Sequence, residues 1–287
     1  MVETVATDGA RPVPVPFGER LAAARSESGL LCVGIDPHAS ELASWSLPDS
    51  AVGVRDYALR MLEAVTGRVA CVKPQSAFFE RHGSAGVAVL EELLVAARAA
   101  GVLVLLDVKR GDIGSTVAAY AEAYLDRSST LAADAITVSP YLGVGALDPV
   151  FEVAAANGAG VFVLAMTSNP EGRGLQSASV RPGRTVAGEV LAEVAARNGR
   201  TPGGSFGAVV GVTIGSTSED LRIGGPLLAP GIGAQGATAA DLPDVFGAAL
   251  PDVLPTVSRG ISNAGPDVSA LRQAVAGYEA DLRTVLR

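Results

Sequence analysis

The sequence predicts a closed barrel of eight parallel strands alternating with helices, a (β/α)8 barrel. Three observations carry that prediction. Short apolar runs recur eight times, at 30–35, 69–72, 102–106, 135–138, 160–166, 208–212, 227–229 and 253–257. Near-continuous apolar runs of this length are the mark of strands buried on both faces. Between them lie segments rich in Ala, Leu, Glu and Arg with helical spacing, clearest at 55–65, 84–100, 116–131, 146–157, 185–198 and 238–249. The third observation is punctuation: 34 glycines and 17 prolines among 287 residues supply tight connections without any triplet period. Strand and helix in alternation imply parallel βαβ units, and eight units close most simply into a barrel, with an open doubly wound sheet as the alternative.

Taken in order, residues 1–16 read as an extended N-terminal lead-in containing Arg11-Pro12-Val13-Pro14, with no apolar core of a signal peptide. A first helix over 17–27 then covers the bottom of the barrel, and 17–287 form one (β/α)8 TIM barrel domain. Strand side chains alternate faces. That parity points Cys32, Gly34 and Asp36 inward on the first strand, Cys71 and Lys73 on the second, and Leu103, Leu105, Asp107 and Lys109 on the third, with Val108 facing away. Strand four ends in Ser139, strand five in Thr167 and Ser168, strand seven in the run Pro230 to Gly236, and strand eight in Ser258 and Arg259. The longest interval between strands, 167–206, holds a single predicted helix behind Asn169-Pro170-Glu171-Gly172-Arg173-Gly174. It is too long for a plain strand-to-helix turn and reads as a solvated loop, with a lid as the alternative.

Composition removes several classes of function. A net charge of −8 with no Lys/Arg run argues against a nucleic-acid partner. The longest charge-free stretches are broken by Gly, Pro, Asn or Ser and do not read as membrane spans. Cys32 and Cys71 both sit inside apolar runs, as in a reduced cytoplasmic chain. His38 and His82 are the only histidines, no Cys/His/carboxylate spacing suggests a metal site, and His38 reads as a solvated loop residue. Neither a nucleophile elbow nor a Walker A loop is present.

What remains is a rim of polar groups at the strand C-termini, the end where barrels of this kind place their chemistry. The densest part is Asp107-Val108-Lys109-Arg110-Gly111-Asp112, with Lys73 on the neighbouring strand. Carboxylates and ammoniums at the mouth of an apolar barrel must pair or shift their pKa values. Such pairing serves a plain ion network as well as a catalytic one. The glycine-rich run 230–236 opens onto a helix, and Arg259 follows the next strand. Backbone N–H groups and one arginine at those two loops suit a phosphate.

These residues resemble the orotidine 5′-phosphate decarboxylase family. The resemblance covers Phe17 to Ile261 and rests on Gly34-Ile35-Asp36, Val72-Lys73-Pro74, Asp107-Val108-Lys109-Arg110-Gly111-Asp112-Ile113, Pro230 to Gly236, and Arg259. The runs Lys73 to Glu80 and Met166 to Gly172 look like the longer-loop bacterial branch. The resemblance implies cofactor-independent decarboxylation of orotidine 5′-phosphate to UMP in a homodimer with active sites at the interface. It implies a charged network of Lys73, Asp107 and Lys109, completed by Asp112 from the other subunit, with Ile113 and Thr116 beside it. Asp36 would hold the ribose, Ser168 the pyrimidine amide, and Gln235 with Arg259, Pro230 and Gly260 the phosphate end. Three rivals follow from the same residues. One is a metal-dependent phosphosugar lyase, disfavoured because Lys73 stands where a metal-binding carboxylate is expected. A second is a Schiff-base aldolase using Lys73 or Lys109, since desolvated lysines can be nucleophilic. The third is a non-catalytic nucleotide-phosphate-binding barrel.

Overall fold

The computed structural model describes residues 14–286, so residues 1–13 of the expected N-terminal extension lie outside the described residues. The eight predicted strands form a closed, all-parallel barrel. In chain order they are Cys32–Ile35, Cys71–Pro74, Leu103–Arg110, Ala135–Val138, Gly160–Met166, Phe206–Val210, Leu227–Pro230 and Val253–Val257. The last closes the ring against the first, with Cys32 beside Thr256 and Val33 beside Val257.

Alternation divides the apolar residues into two layers. Val33, Ile35, Val72, Val104, Leu106 and Val108 face the surrounding helices. Cys32, Cys71, Leu105, Ala135, Phe162, Val209, Leu228 and Leu254 fill the interior together with Phe17 and Leu21. These last two come from the first helix, Phe17–Glu27, which plugs the bottom as expected. Phe17 meets Phe162 edge to face with ring centroids 5.9 Å apart. A Cβ at Gly160 would lie 2.4 Å from the Phe17 ring, so the plug seats because residue 160 is a glycine. Arg20 pairs with Asp134 and donates to the Gly158 carbonyl at 2.9 Å, tying the plug to the strand beginnings.

Several helices differ from their expected bounds for local reasons. The helix expected over 116–131 is Gly114–Leu125, because Asp126 accepts from both the amide and the hydroxyl of Ser128 and turns the chain. The segment 238–249 is not one helix. It is a 3-10 turn at Ala239–Asp241, a short helix Leu242–Phe246 and a second 3-10 segment Gly247–Asp252, interrupted by Gly247 and Pro251. A last helix, Val268–Arg283, has no counterpart among the predicted segments. It starts where the Asp267 side chain accepts from the Ala270 amide, and it buries Leu271, Val275 and Leu282.

The interval after the fifth strand is more structured than a solvated loop. It contains a 3-10 turn Pro170–Gly172, a helical turn Arg173–Gln176 and a two-stranded antiparallel hairpin of Ser179–Arg181 with Arg184–Thr185. The Gln176 side chain accepts from the Thr167 amide at 3.0 Å and donates to its hydroxyl at 2.6 Å, anchoring the segment to the strand end.

Candidate active site

The C-terminal rim surrounds a cavity of about 520 Å3. The third strand supplies its centre. Beyond Leu106 the strand's register against the fourth strand shifts, and Lys109 takes φ = +46°, a left-handed conformation that ordinary side chains adopt at a cost. Asp107 and Lys109 lie on the same side of the strand. Lys109 Nζ lies 2.7 Å and 2.6 Å from the two Asp107 oxygens. Lys73 Nζ approaches Asp107 Oδ2 at 3.2 Å from the neighbouring strand. Thr137, inward on the fourth strand, donates to Asp107 Oδ1 at 2.7 Å and accepts from the Lys109 amide at 2.9 Å. Arg110 points away, to Glu80 and between the rings of Tyr120 and Tyr124.

The electrostatics follow from this placement. Burial alone would raise the Asp107 pKa, but the Lys73 and Lys109 ammoniums, with hydrogen bonds from Lys109 and Thr137, bring it down to about 2. Burial alone would lower Lys73. The carboxylates of Asp36 and Asp107 outweigh it and hold Lys73 above the ordinary lysine value. Asp107 is therefore anionic and Lys73 cationic at neutral pH, both 7% exposed, whereas the Lys109 side chain is 45% exposed toward the cavity mouth.

Of the residues singled out from the sequence, Asp36, Lys73, Asp107, Lys109, Ser168, Pro230, Gln235 and Arg259 all line this one cavity. Gly260 does not. It packs against the Tyr278 hydroxyl, which a Cβ at residue 260 would meet at 2.2 Å. Asp112, Ile113 and Thr116 also lie off the cavity wall. Asp112 is half-buried and accepts from the Ile113 amide at 2.8 Å, while Ile113 is 62% exposed and Thr116 is exposed on the following helix.

Sequence reasoning missed Thr137, Gln75, Asn169 and Thr256 as cavity residues, whereas Ser258, named as a rim residue of the last strand, lines the cavity. Thr137 was legible in principle: it is the inward position of a strand whose neighbours Ile136 and Val138 face the helices. Ser139 follows that strand as expected but is off the cavity wall, beside Gly111, where a Cβ would meet its carbonyl oxygen at 2.5 Å. His38 is not a solvated loop residue. It is half-buried on the cavity wall with its ring 4.0 Å from that of Phe78. No cluster of three His, Cys, Asp or Glu side chains suited to a metal occurs among the described residues. No described helix is long and apolar enough to cross a membrane.

Comparison with known proteins agrees with this geometry. A Salinispora arenicola protein named orotidine 5′-phosphate decarboxylase is 62% identical over 272 residues, spanning 94% of this chain and 98% of that protein. A Streptomyces coelicolor protein of the same name is 59% identical over 273 residues, with the same coverage. A Streptomyces avermitilis crystal structure described as an orotidine 5′-phosphate decarboxylase superposes with a TM-score of 0.93 at 56% identity, covering 99% of both chains. The model of the orotidine 5′-phosphate decarboxylase / HUMPS family matches residues 29–274, and the chain belongs to that family.

Proposed function

We propose that the chain decarboxylates orotidine 5′-phosphate at C6 to give UMP, the last step of de novo pyrimidine nucleotide synthesis, without a metal or organic cofactor. One observation supports this reading above the others: a buried carboxylate, Asp107, held between two lysine ammoniums at the floor of a nucleotide-sized cavity. Breaking the C6–carboxylate bond releases CO2 and leaves an electron pair in the plane of the pyrimidine, where the ring π system cannot delocalise it. A preplaced cation is what such a centre needs. Lys109 stabilises the developing carbanion and gives its proton to C6; the amine then regains a proton from solvent. Asp107 holds Lys109 in place and crowds the departing carboxylate. Lys73, beside it, also repels a divalent cation, which weighs against metal-dependent lyase chemistry.

The remaining roles follow the rim. Asp36 holds the ribose, Ser168 the pyrimidine amide, and Gln235 and Arg259 the phosphate, with Pro230 and the backbone at Gly260 shaping that end. Binding the remote phosphate draws the loops around the substrate and so contributes to rate as well as affinity. Asp112, Ile113 and Thr116 stand off their own cavity on an exposed rim segment. The loop after the fourth strand carries two further exposed apolar side chains, Tyr141 and Leu142. That surface suits a homodimer in which these three residues complete the partner's site. The reading includes a single barrel domain from residue 17 and a cytoplasmic location.

The test is loss of orotidine 5′-phosphate absorbance with EDTA-treated protein, followed by subunit mixing. Metal-free turnover to UMP is expected. Lys109→Ala and Asp112→Ala chains, each nearly inactive alone, should together recover about a quarter of wild-type activity, because half the dimers are hybrids with one intact site. A folded dimer without turnover would overturn the reaction, and no recovery on mixing would overturn the shared site.

A further inference from the structure

Three side-chain oxygens on the cavity wall are buried without a hydrogen-bond partner: Asp36 Oδ1, Thr256 Oγ1 and Ser258 Oγ. Leaving a buried polar atom unpaired costs about 1–3 kcal/mol. Such atoms gathered in one cavity mark where a ligand completes the bonding.

The side chains that carry two of the three converge. Asp36 follows the first strand and Ser258 the last, and these strands are hydrogen-bonded neighbours. Gly34 lies between them. A Cβ there would fall 2.9 Å from both Asp36 Oδ2 and Ser258 Oγ, and 2.6 Å from Ser258 Cβ, so the bare glycine is what lets both side chains share that space. The Ser258 hydroxyl makes no hydrogen bond within the described residues. Although Ser258 precedes the helical turn Arg259–Ser262, its side chain makes no capping bond.

The chemistry of the pair is specific. An ionised carboxylate only accepts, while a hydroxyl both donates and accepts. Together they suit a ligand presenting one hydroxyl to donate and a second beside it to accept. They do not suit a phosphate, which Asp36 would repel. In a nucleotide the group with that pattern is the ribose diol.

We propose that Ser258 is a further substrate-binding residue, which hydrogen-bonds one ribose hydroxyl alongside Asp36 so that the pair reads the sugar as a diol. This rests on the nucleotide reading of the cavity given above.

Calorimetric titration of wild type and Ser258→Ala with UMP, 2′-deoxy-UMP and 3′-deoxy-UMP tests it. The variant should bind UMP about tenfold more weakly, with a melting temperature equal to or above that of wild type. The deoxynucleotide lacking the hydroxyl that Ser258 meets should bind wild type about tenfold more weakly than UMP does and lose nothing further in the variant. Unchanged UMP affinity in Ser258→Ala, or an equal loss for all three nucleotides, would overturn the role of Ser258. Failure of wild type to bind UMP at all would overturn the nucleotide reading, and this role with it.

Discussion

At the bottom of the barrel Phe17 and Leu21 fill the interior, Arg20 and Asp134 pair, and Glu279 accepts from the Leu30 and Leu31 amides at 2.7 Å and 2.9 Å. At the top the same strands end in Asp36, Lys73, Asp107 and Lys109 around an open cavity, with unpartnered oxygens on Asp36, Thr256 and Ser258 and a left-handed backbone at Lys109. The bottom is made of apolar side chains and of charges paired within the chain, with only Arg20 Nε and Glu279 Oε2 of the groups named here buried without a hydrogen bond. The top carries charge, unsatisfied polarity and strain, which cost stability and are tolerated where a ligand supplies the missing contacts. The contrast teaches that stability and chemistry are assigned to opposite ends of one set of strands, as expected of this architecture.

The sharpest way to break that comparison is to cross one substitution from each end. Lys109→Ala removes the proposed proton donor, so kcat should fall by at least about a thousandfold while the protein stays folded. Phe17→Ala empties the plug and should cost about 3–5 kcal/mol, lowering the melting temperature by on the order of 10 °C, with kcat at 25 °C close to wild type. Thermal melting and steady-state assays on the two variants check both halves. A Phe17→Ala enzyme that melts normally but has lost turnover would erase the division between the ends.

A smaller effect concerns the charged centre itself. The Asp107 pKa is about 2 in the folded chain and near 3.9 in an unfolded one. A depressed carboxylate contributes stability that is fully present above the unfolded value and is lost as pH falls through the folded one. The stability difference between wild type and Asp107→Asn should therefore be constant from about pH 5 to 8 and narrow as pH drops below about 4. Urea midpoints at a series of pH values report it. A difference that widens on acidification would mean that the lysines do not stabilise the Asp107 anion.

The same contrast explains how much could be read in advance. The strands were legible because each is apolar on both faces, and parity alone placed Asp107 with Lys109 and sent Val108 to the helices. The bottom plug was legible because a helical segment, Phe17–Glu27, follows the extended lead-in and precedes the first strand. Less visible were features decided by tertiary contact. Thr137 reads as one residue of an apolar strand until its hydroxyl is seen bridging Asp107 and the Lys109 amide. His38 reads as a loop residue until Phe78 arrives from the next strand–helix connection. The hairpin between the fifth strand and its helix carries almost no apolar pattern, being held by Gln176 on Thr167 and Arg181 on Glu189.

The smallest expected effect isolates the strain at the top. Lys109 has φ = +46° and is one of two described non-glycine residues with positive φ, the other being Ser46. An alanine at residue 109 keeps the steric cost of that conformation, whereas a glycine does not. Both lose the ammonium and should lose turnover alike. In stability they should separate, with Lys109→Gly more stable than Lys109→Ala by about 1 kcal/mol, despite the extra freedom glycine gives the unfolded chain. Differential melting of the two variants measures the gap, expected at about 2–4 °C. If alanine melts higher than glycine, the left-handed backbone at Lys109 stores no strain, and the top of the barrel owes its lower stability to charge and unpaired oxygens alone.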